Sequence, residues 1–291
     1  MKKVLLLGAN GQLGSDIKKI FKDENIRLIS LTRDNFDVQK DDISKLEEYK
    51  NVDYIINTIA YHKTDECEDY PDKSFKINAS FVYELAKFCD KFDISLFHFS
   101  TDYVFDGNKE TPYKEEDIPN PLNIYGLSKF SGEKAIENYL KKYFIFRVSS
   151  LFGVAGASGK GGNFVETMLN LAKKKVPLKI ISNQYMSPTH TLDIARVVLY
   201  FIKNDIRDYG IYHCCNSGSC SWYEFTKKIF KLANINYPIE KTTYEEYKTK
   251  AKRPKYSVLN NTKLSQYYKM PSWQDALKEY LFKKGYIKGN L

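Results

Sequence analysis

No apolar run in this chain of 291 residues approaches the roughly 20 residues of a membrane-spanning helix, so a helical membrane protein is not expected. Met1-Lys2-Lys3 has the charge of a signal-peptide start. The apolar stretch behind it is too short, however, and runs straight into a glycine turn, so a cytoplasmic protein is expected. Cysteine is scarce and odd in number: Cys67, Cys89, Cys214, Cys215 and Cys220 follow no regular spacing, which argues against a disulfide framework and for thiols in a reducing compartment. His213, Cys214, Cys215 and Cys220 stand near one another, but their spacing matches no common zinc site, and no metal is expected. Internal repeats and low-complexity tracts are lacking. The charge leans basic, with 45 Lys and Arg against 36 Asp and Glu and a net charge of +9. The lysines are spread along the whole chain without a basic-aromatic cluster, so nucleic acid is not an expected partner; a small phosphate-bearing substrate fits the same charge. What remains is an ordinary globular composition, 43% hydrophobic and 28% charged, long enough for a sizeable core.

The first feature present is Val4-Leu5-Leu6-Leu7, a buried-strand pattern, followed by Gly8-Ala9-Asn10-Gly11-Gln12-Leu13-Gly14 and an amphipathic stretch from Ile17 to Phe21. A strand, a glycine turn and a helix open a dinucleotide-binding domain. The glycines let the backbone turn tightly near a pyrophosphate, and the helix N-terminus offers it free N–H groups. The spacing is G-x-x-G-x-x-G rather than the commoner G-x-G-x-x-G. Further strands are predicted at 26–30, 54–57, 94–100 and 144–149, with helices at 72–88 and 128–139. This alternation predicts an α/β fold, a doubly wound parallel (Rossmann) sheet with helices on both faces. After Ser150 the rhythm breaks. The glycine-rich 153–162 reads as a mobile loop over a site, 163–173 and 191–202 as helices, and 180–188 as extended. The expected division is a dinucleotide-binding domain of 1–150, with 180–205 returning to it, and a smaller C-terminal α/β substrate lobe of 151–179 and 206–291.

The chemistry is expected at Tyr125-Gly126-Leu127-Ser128-Lys129. Positions four apart share one helix face, which sets a phenol beside an ammonium. A neighbouring cation favours the phenolate and lowers its pKa from about 10, fitting the pair for proton exchange with a carbonyl oxygen or a hydroxyl. Upstream, the apolar segment ending in Ser100-Thr101-Asp102 places hydroxyls at the C-terminal end of a strand, where open parallel sheets bind ligands. Thr101 can hydrogen-bond the same substrate oxygen that Tyr125 protonates. After the second strand comes Thr32-Arg33 rather than an acid at that tip, with Asp34 directly behind; Arg33 accommodates a 2′-phosphate, so NADPH is expected ahead of NADH.

Together these segments resemble the extended short-chain dehydrogenase/reductase superfamily, and within it the dTDP-4-dehydrorhamnose reductase family. The likeness spans nearly the whole chain. It rests on 8–14, Asn57-Thr58-Ile59-Ala60-Tyr61, 65–68, 100–107, 121–129, Gly162-Asn163-Phe164, Ser187-Pro188-Thr189, Arg253-Pro254 and 273–277. It implies NAD(P)H-dependent reduction of the C4 keto group of a dTDP-4-dehydro-6-deoxyhexose, dTDP-4-dehydrorhamnose to dTDP-L-rhamnose. It implies that Tyr125 delivers the proton, that Lys129 lowers the Tyr125 pKa and holds the nicotinamide ribose, and that Thr101 orients the carbonyl. By the same likeness Gly8, Gly11, Gln12, Leu13 and Gly14 border the cofactor phosphates, Asp37 and Val38 the adenine, and Ala60 and Tyr61 the central part. Asp102, Asn163 and Arg253 are implied on the substrate side. Two positions depart from the family pattern: Ser149-Ser150 stands where Ser-Trp is frequent, and His62 where Thr is usual. Some family members form a magnesium-linked dimer; a homodimer is compatible with the likeness, whereas no acidic cluster here supports magnesium. The alternatives are a reductase or epimerase of another nucleotide sugar, and a non-catalytic NADP-binding regulatory subunit. A nucleotide-sugar 4,6-dehydratase is disfavoured, because Tyr103 replaces the glutamate base of its Thr-Asp-Glu motif.

Overall fold

Apolar stretches between glycine, proline and polar turns become strands, and the turns behind them become helix starts. The computed structural model describes residues 1–157 and 162–288, so residues 158–161 of the expected glycine-rich loop lie outside the described residues. The first half runs β1 (Lys2–Leu7), α1 (Gln12–Phe21), β2 (Ile26–Leu31), β3 (Tyr54–Asn57), α2 (Thr64–Asp69), α3 (Pro71–Phe75), α4 (Phe81–Lys91), β4 (Ser95–Thr101), α5 (Ile124–Tyr139) and β5 (Tyr143–Val148). There follow β6 (Leu151–Phe152), α6 (Phe164–Lys173), β7 (Lys179–Ile181), β8 (Tyr185–Met186), β9 (Thr189–His190) and α7 (Thr191–Lys203). The chain ends with β10 (Gly210–His213), β11 (Cys220–Ser221), α8 (Trp222–Leu232), β12 (Glu240–Thr242), α9 (Thr262–Ser265) and α10 (Trp273–Lys283).

Six strands form one parallel sheet in the order β10-β5-β4-β3-β1-β2. The order reverses between β1 and β3. At such a switch point the crevice beyond the carboxyl ends of the strands is open to a ligand. Past residue 206 the chain first adds β10 to the large sheet, and only then enters the smaller lobe.

The two faces of the sheet differ. On one, Val4, Leu6, Phe97, Phe144 and Phe146 pack beneath Ile17 and Phe21 of α1 and Val198 and Phe201 of α7. On the other, Leu5, Ile55, Leu96 and Ile145 pack beneath Val82 and Leu85 of α4 and Ile136 of α5. Alternation along the strands carries this second face on to Asn57, His98 and Arg147, all buried. The apolar pattern thus gives way to polar groups as the strands approach the crevice.

Two local features aim α5 at that crevice. Asn123 caps the helix, its side chain accepting from the Gly126 N–H at 2.8 Å, so the helix begins at Ile124 rather than at the expected 128. Tyr125 therefore lies in its first turn. The expected continuous helix 72–88 is instead α3, a π-helical turn (Lys76–Ser80) and α4. The widened turn turns Asn78 inward, where its amide donates to Ser128 Oγ at 3.0 Å and to the Tyr61 carbonyl at 2.9 Å. The smaller lobe packs α6, α8 and α10 around Phe152, Phe225, Trp273 and Tyr280. Among the described residues no helix is long and apolar enough to cross a membrane.

Candidate active site

A cleft of about 860 Å³ opens at the carboxyl ends of β1, β3 and β4, bordered by the glycine turn on one side and by α5 on another. The turn is shaped for close approach. Gly8 has φ +80°, and a Cβ there would come within 2.6 Å of Thr58 Oγ1, so only glycine fits. Gly14 does not border the cleft; it packs beneath the turn, where a Cβ would meet Ala9 Cα at 2.9 Å. Gly11 is the N-cap of α1 and provides no side chain to cap it, while Gln12 and Leu13 of the first turn border the cleft. First-turn N–H groups with no capping side chain suit a pyrophosphate. At the tip of β2, exposed Arg33 and half-buried Asp37 and Val38 border the same cleft, as do Ala60 and Tyr61 beyond β3. The residues present therefore fit a dinucleotide along one wall.

Thr101, Tyr125 and Lys129 border the cleft together. Thr101 ends β4; its hydroxyl donates to Asp102 Oδ1 at 3.1 Å and accepts from the Tyr103 N–H at 3.2 Å. Asp102, 3% exposed, also accepts from Ser149 Oγ at 2.8 Å and from Ser257. Burial pushes its carboxyl up to about 6, against the pull of those three hydroxyls. The Tyr125 phenol is raised from its ordinary value by burial; its hydrogen bond with Thr101 acts the other way, and the Asp102 carboxylate adds to the rise. The expected lowering by Lys129 is not what this fold produces. Lys129 is itself buried, its amine is brought down to about 8 by desolvation, and its Nζ meets Nε2 of His98 at 3.3 Å.

Asn163 also borders the cleft, but its side chain is engaged as the cap of α6: Oδ1 accepts from the Glu166 N–H at 3.2 Å, and Nδ2 donates to the Gly153 carbonyl at 3.0 Å. Arg253 is not brought to the cleft. Its guanidinium pairs with Asp65 Oδ2 at 2.8 Å, and Asp65 Oδ1 accepts from the Ala251 N–H at 3.0 Å, tying 251–253 to α2. Ser100, placed by the sequence at the ligand end of a strand but given no role, is a cleft residue whose buried Oγ has no partner among the described residues. No sequence signal marks Trp222 and Phe225 of α8, which close the cleft from the smaller lobe with Phe164. Trp222 and Phe164 lie 4.5 Å apart between ring centroids. Nothing in the pattern around these aromatics separates a cleft wall from ordinary core; the signal for Ser100 was its place at the end of a strand beside Thr101. Among the described residues no group of three or more His, Cys, Asp or Glu is arranged to hold a metal ion.

The family profile described as "RmlD substrate binding domain" matches residues 1–285. The chain is 38% identical to the spore coat polysaccharide biosynthesis protein SpsK of Bacillus subtilis over 284 residues, 97% of each chain. A dTDP-4-dehydrorhamnose reductase structure from Clostridium acetobutylicum is similar with a TM-score of 0.90 and 38% identity, covering 97% of this chain and 99% of that one. A dTDP-4-dehydrorhamnose reductase from Bacillus anthracis, solved in complex with NADP, gives a TM-score of 0.89 and 35% identity, covering 97% and 100%.

Proposed function

Because the chain belongs to the RmlD substrate-binding-domain family, we propose that it reduces the C4 keto group of dTDP-4-dehydrorhamnose with NAD(P)H, giving dTDP-L-rhamnose. The observation that carries this reading is the meeting of Thr101, Tyr125 and Lys129 with the glycine turn on one cleft. A nicotinamide dinucleotide, when bound, supplies the hydride; the protein supplies orientation and the proton. Gly8, Gly11, Gln12 and Leu13 would hold the pyrophosphate, Asp37 and Val38 the adenine, and Ala60, Tyr61 and Lys129 the nicotinamide half. Gly14 keeps α1 close beneath them.

Burial keeps the Tyr125 phenol protonated at neutral pH, which suits a proton donor in the direction of reduction. The phenol gives its proton to the C4 oxygen as that oxygen gains negative charge. Asp102 holds the Thr101 hydroxyl beside the phenol, ready to turn toward the same oxygen. Phe164, Trp222 and Phe225 supply an apolar wall for the sugar nucleotide, with Asn163 at its edge. Arg253 acts at one remove, by fixing 251–253 to α2. In this division of labour 1–150 with 180–205 and β10 carry the cofactor, while 151–179 and the chain beyond β10 shape the substrate side.

The test is NADPH oxidation with dTDP-4-dehydrorhamnose. Tyr125→Phe is expected to lower kcat by about 10²–10⁴-fold, with NADPH affinity within twofold of the parent. Substantial retained turnover would remove Tyr125 as the donor. Tight NADPH binding without turnover on any 4-keto sugar nucleotide would instead favour the regulatory-subunit alternative. For the cofactor we propose NADPH over NADH, because Arg33 borders the cleft at the β2 tip, ahead of Asp34, where it can meet a 2′-phosphate. Arg33→Ala is expected to weaken NADPH about tenfold or more and NADH little, the loss of one charge-assisted phosphate contact. Equal loss for both cofactors in a fluorescence titration would reject the role.

A further inference from the structure

Tyr125 stands in the first turn of α5, and the backbone of that turn is held from outside the helix. The Ile124 N–H donates to Glu68 Oε1 of α2 at 2.8 Å. Asn123, a buried residue, uses both ends of its amide. Its oxygen caps the helix at the Gly126 N–H, and its nitrogen donates to the Lys252 carbonyl at 2.7 Å, 129 positions further along the chain. Lys252 belongs to a segment that is tied down at each neighbouring residue. Lys250 pairs with Asp69, the Ala251 N–H donates to Asp65 Oδ1, and the Arg253 guanidinium meets Asp65 Oδ2. A few residues on, buried Ser257 hydrogen-bonds Asp102, the carboxylate that holds the Thr101 hydroxyl. One stretch of chain thus reaches both groups assigned to the C4 oxygen.

The other side of this stretch is fastened to the smaller lobe. The Tyr244 hydroxyl donates to the Arg253 carbonyl at 2.8 Å, and Gln184 Nε2 to the Pro254 carbonyl at 2.9 Å. The Tyr185 N–H donates to the Lys255 carbonyl, and the Ser257 N–H returns to the Tyr185 carbonyl, both at 2.9 Å. Tyr185 opens β8, whose Met186 packs in the core of the smaller lobe. In the pairing of β8 with β11, Tyr185 lies opposite Ser221, the N-cap of α8. Trp222 follows directly and forms part of the cleft wall. A continuous run of bonded residues therefore joins that wall to Tyr125 and Thr101.

We propose that residues 250–257 are a strap through which the smaller lobe sets the positions of Tyr125 and Thr101, with Asn123 and Ser257 as positioning residues. The proposal rests on the roles given to Tyr125 and Thr101 above. A tie between the lobes alone would need only the ion pairs of Asp65 and Asp69, which are half-exposed and contribute little. Asn123 and Ser257 are different: both are buried, and both direct their side chains to the neighbours of the reacting groups. Asn123 fixes where α5 begins, and with it the place of the phenol two residues later. Ser257 holds Asp102, and with it the Thr101 hydroxyl. Seating a sugar nucleotide against Trp222 and setting the proton donor are thereby linked through one segment.

Two measurements on the full-length protein test this. The first is amide hydrogen exchange without cofactor. Asp65→Ala frees the strap from α2 at a residue that does not border the cleft. The strap requires faster exchange both at 250–257 and at 123–128. Acceleration confined to 250–257, or none at either segment, overturns it, and this result is independent of activity. The second measurement is kinetic. Asn123→Ser keeps an oxygen that caps the helix equally well but is too short to reach Lys252, and Ser257→Ala removes the hydroxyl alone. Each is expected to lower kcat about tenfold, as a small misplacement of a reacting group does, with NADPH affinity and the KM for dTDP-4-dehydrorhamnose within about twofold of the parent. A merely structural role would lower the urea midpoint and leave the kcat of the folded enzyme in place. Parent kcat in either variant overturns the proposal, and so does a loss of kcat that comes with an equal loss of NADPH affinity. Should Tyr125→Phe retain the parent rate, the role of Tyr125 in turnover fails, while the exchange result still stands on its own.

Discussion

Burial strips Lys129 of water and brings its amine down to about 8. A lysine in the unfolded chain titrates near 10.4, so between these values the unfolded chain carries a proton that the folded chain has shed. Stability therefore rises as pH climbs through that window, and below it folding has to bury an ammonium. Lys129→Met keeps the length of the side chain and removes the charge. It is expected to stabilise the protein at pH 7 by about 2–3 kcal/mol while turnover collapses, a gain that shrinks by pH 10. Urea unfolding of parent and variant at both pH values checks this; a variant less stable than the parent at pH 7 contradicts it. The residue types at this site were visible in the sequence: Thr101, Tyr125 and Lys129 stand out by order and spacing, and all three border the cleft. Their electrostatics were not visible. The sequence pattern suggests an ammonium lowering a phenol, but desolvation of both groups dominates, and desolvation is a property of the packed sheet and helix.

At the scale of elements, α5 owes its position to buried polar contacts as much as to apolar ones. Glu133 is fully buried, Arg147 is 2% exposed, and the guanidinium also stacks 5.1 Å from the Phe105 ring. Removing one partner leaves the other charge unpaired in the core. Glu133→Ala is expected to destabilise by about 3–5 kcal/mol, and the double variant Glu133→Leu with Arg147→Met to recover much of that loss. Denaturant midpoints of the three proteins decide it; a single variant within 1 kcal/mol of the parent would remove the pair from the list of groups that hold α5. Because the buried face of α5 carries Gly126, Ser128, Lys129, Gly132 and Glu133 while Leu127 and Tyr139 are exposed, its hydrophobic pattern is weak, and this is why its first turn escaped the periodicity while Asn123 set it. Strands β1 to β5 were legible because they are short apolar runs bounded by turns. The short pairings β11 with β8 and β12 with β7 were not, since such strands carry no period of their own. Arg253-Pro254 was legible as a motif but not as a contact, because its partner Asp65 is remote in sequence and is brought near only by the fold.

Over the whole molecule, the groups assigned to chemistry and to the cofactor lie before residue 150, whereas the cover of that half comes later. Phe201 of α7 packs 5.2 Å from Phe144 and 5.5 Å from Phe146 between ring centroids, and β10 occupies the edge of β5. A fragment of residues 1–150 is therefore expected to hold every proposed catalytic residue and still to fail as a folded unit, with an open aromatic face that binds a hydrophobic dye and draws fragments together. A soluble, cooperatively melting fragment would contradict this. The same arrangement bears on synthesis. As the chain leaves the ribosome, its first half emerges with Phe144 and Phe146 awaiting a helix about fifty residues behind them, and Phe97 one about a hundred residues behind it. During that interval the nascent protein is a client for chaperones, and any pause in translation before α7 has cleared the exit tunnel prolongs its exposure.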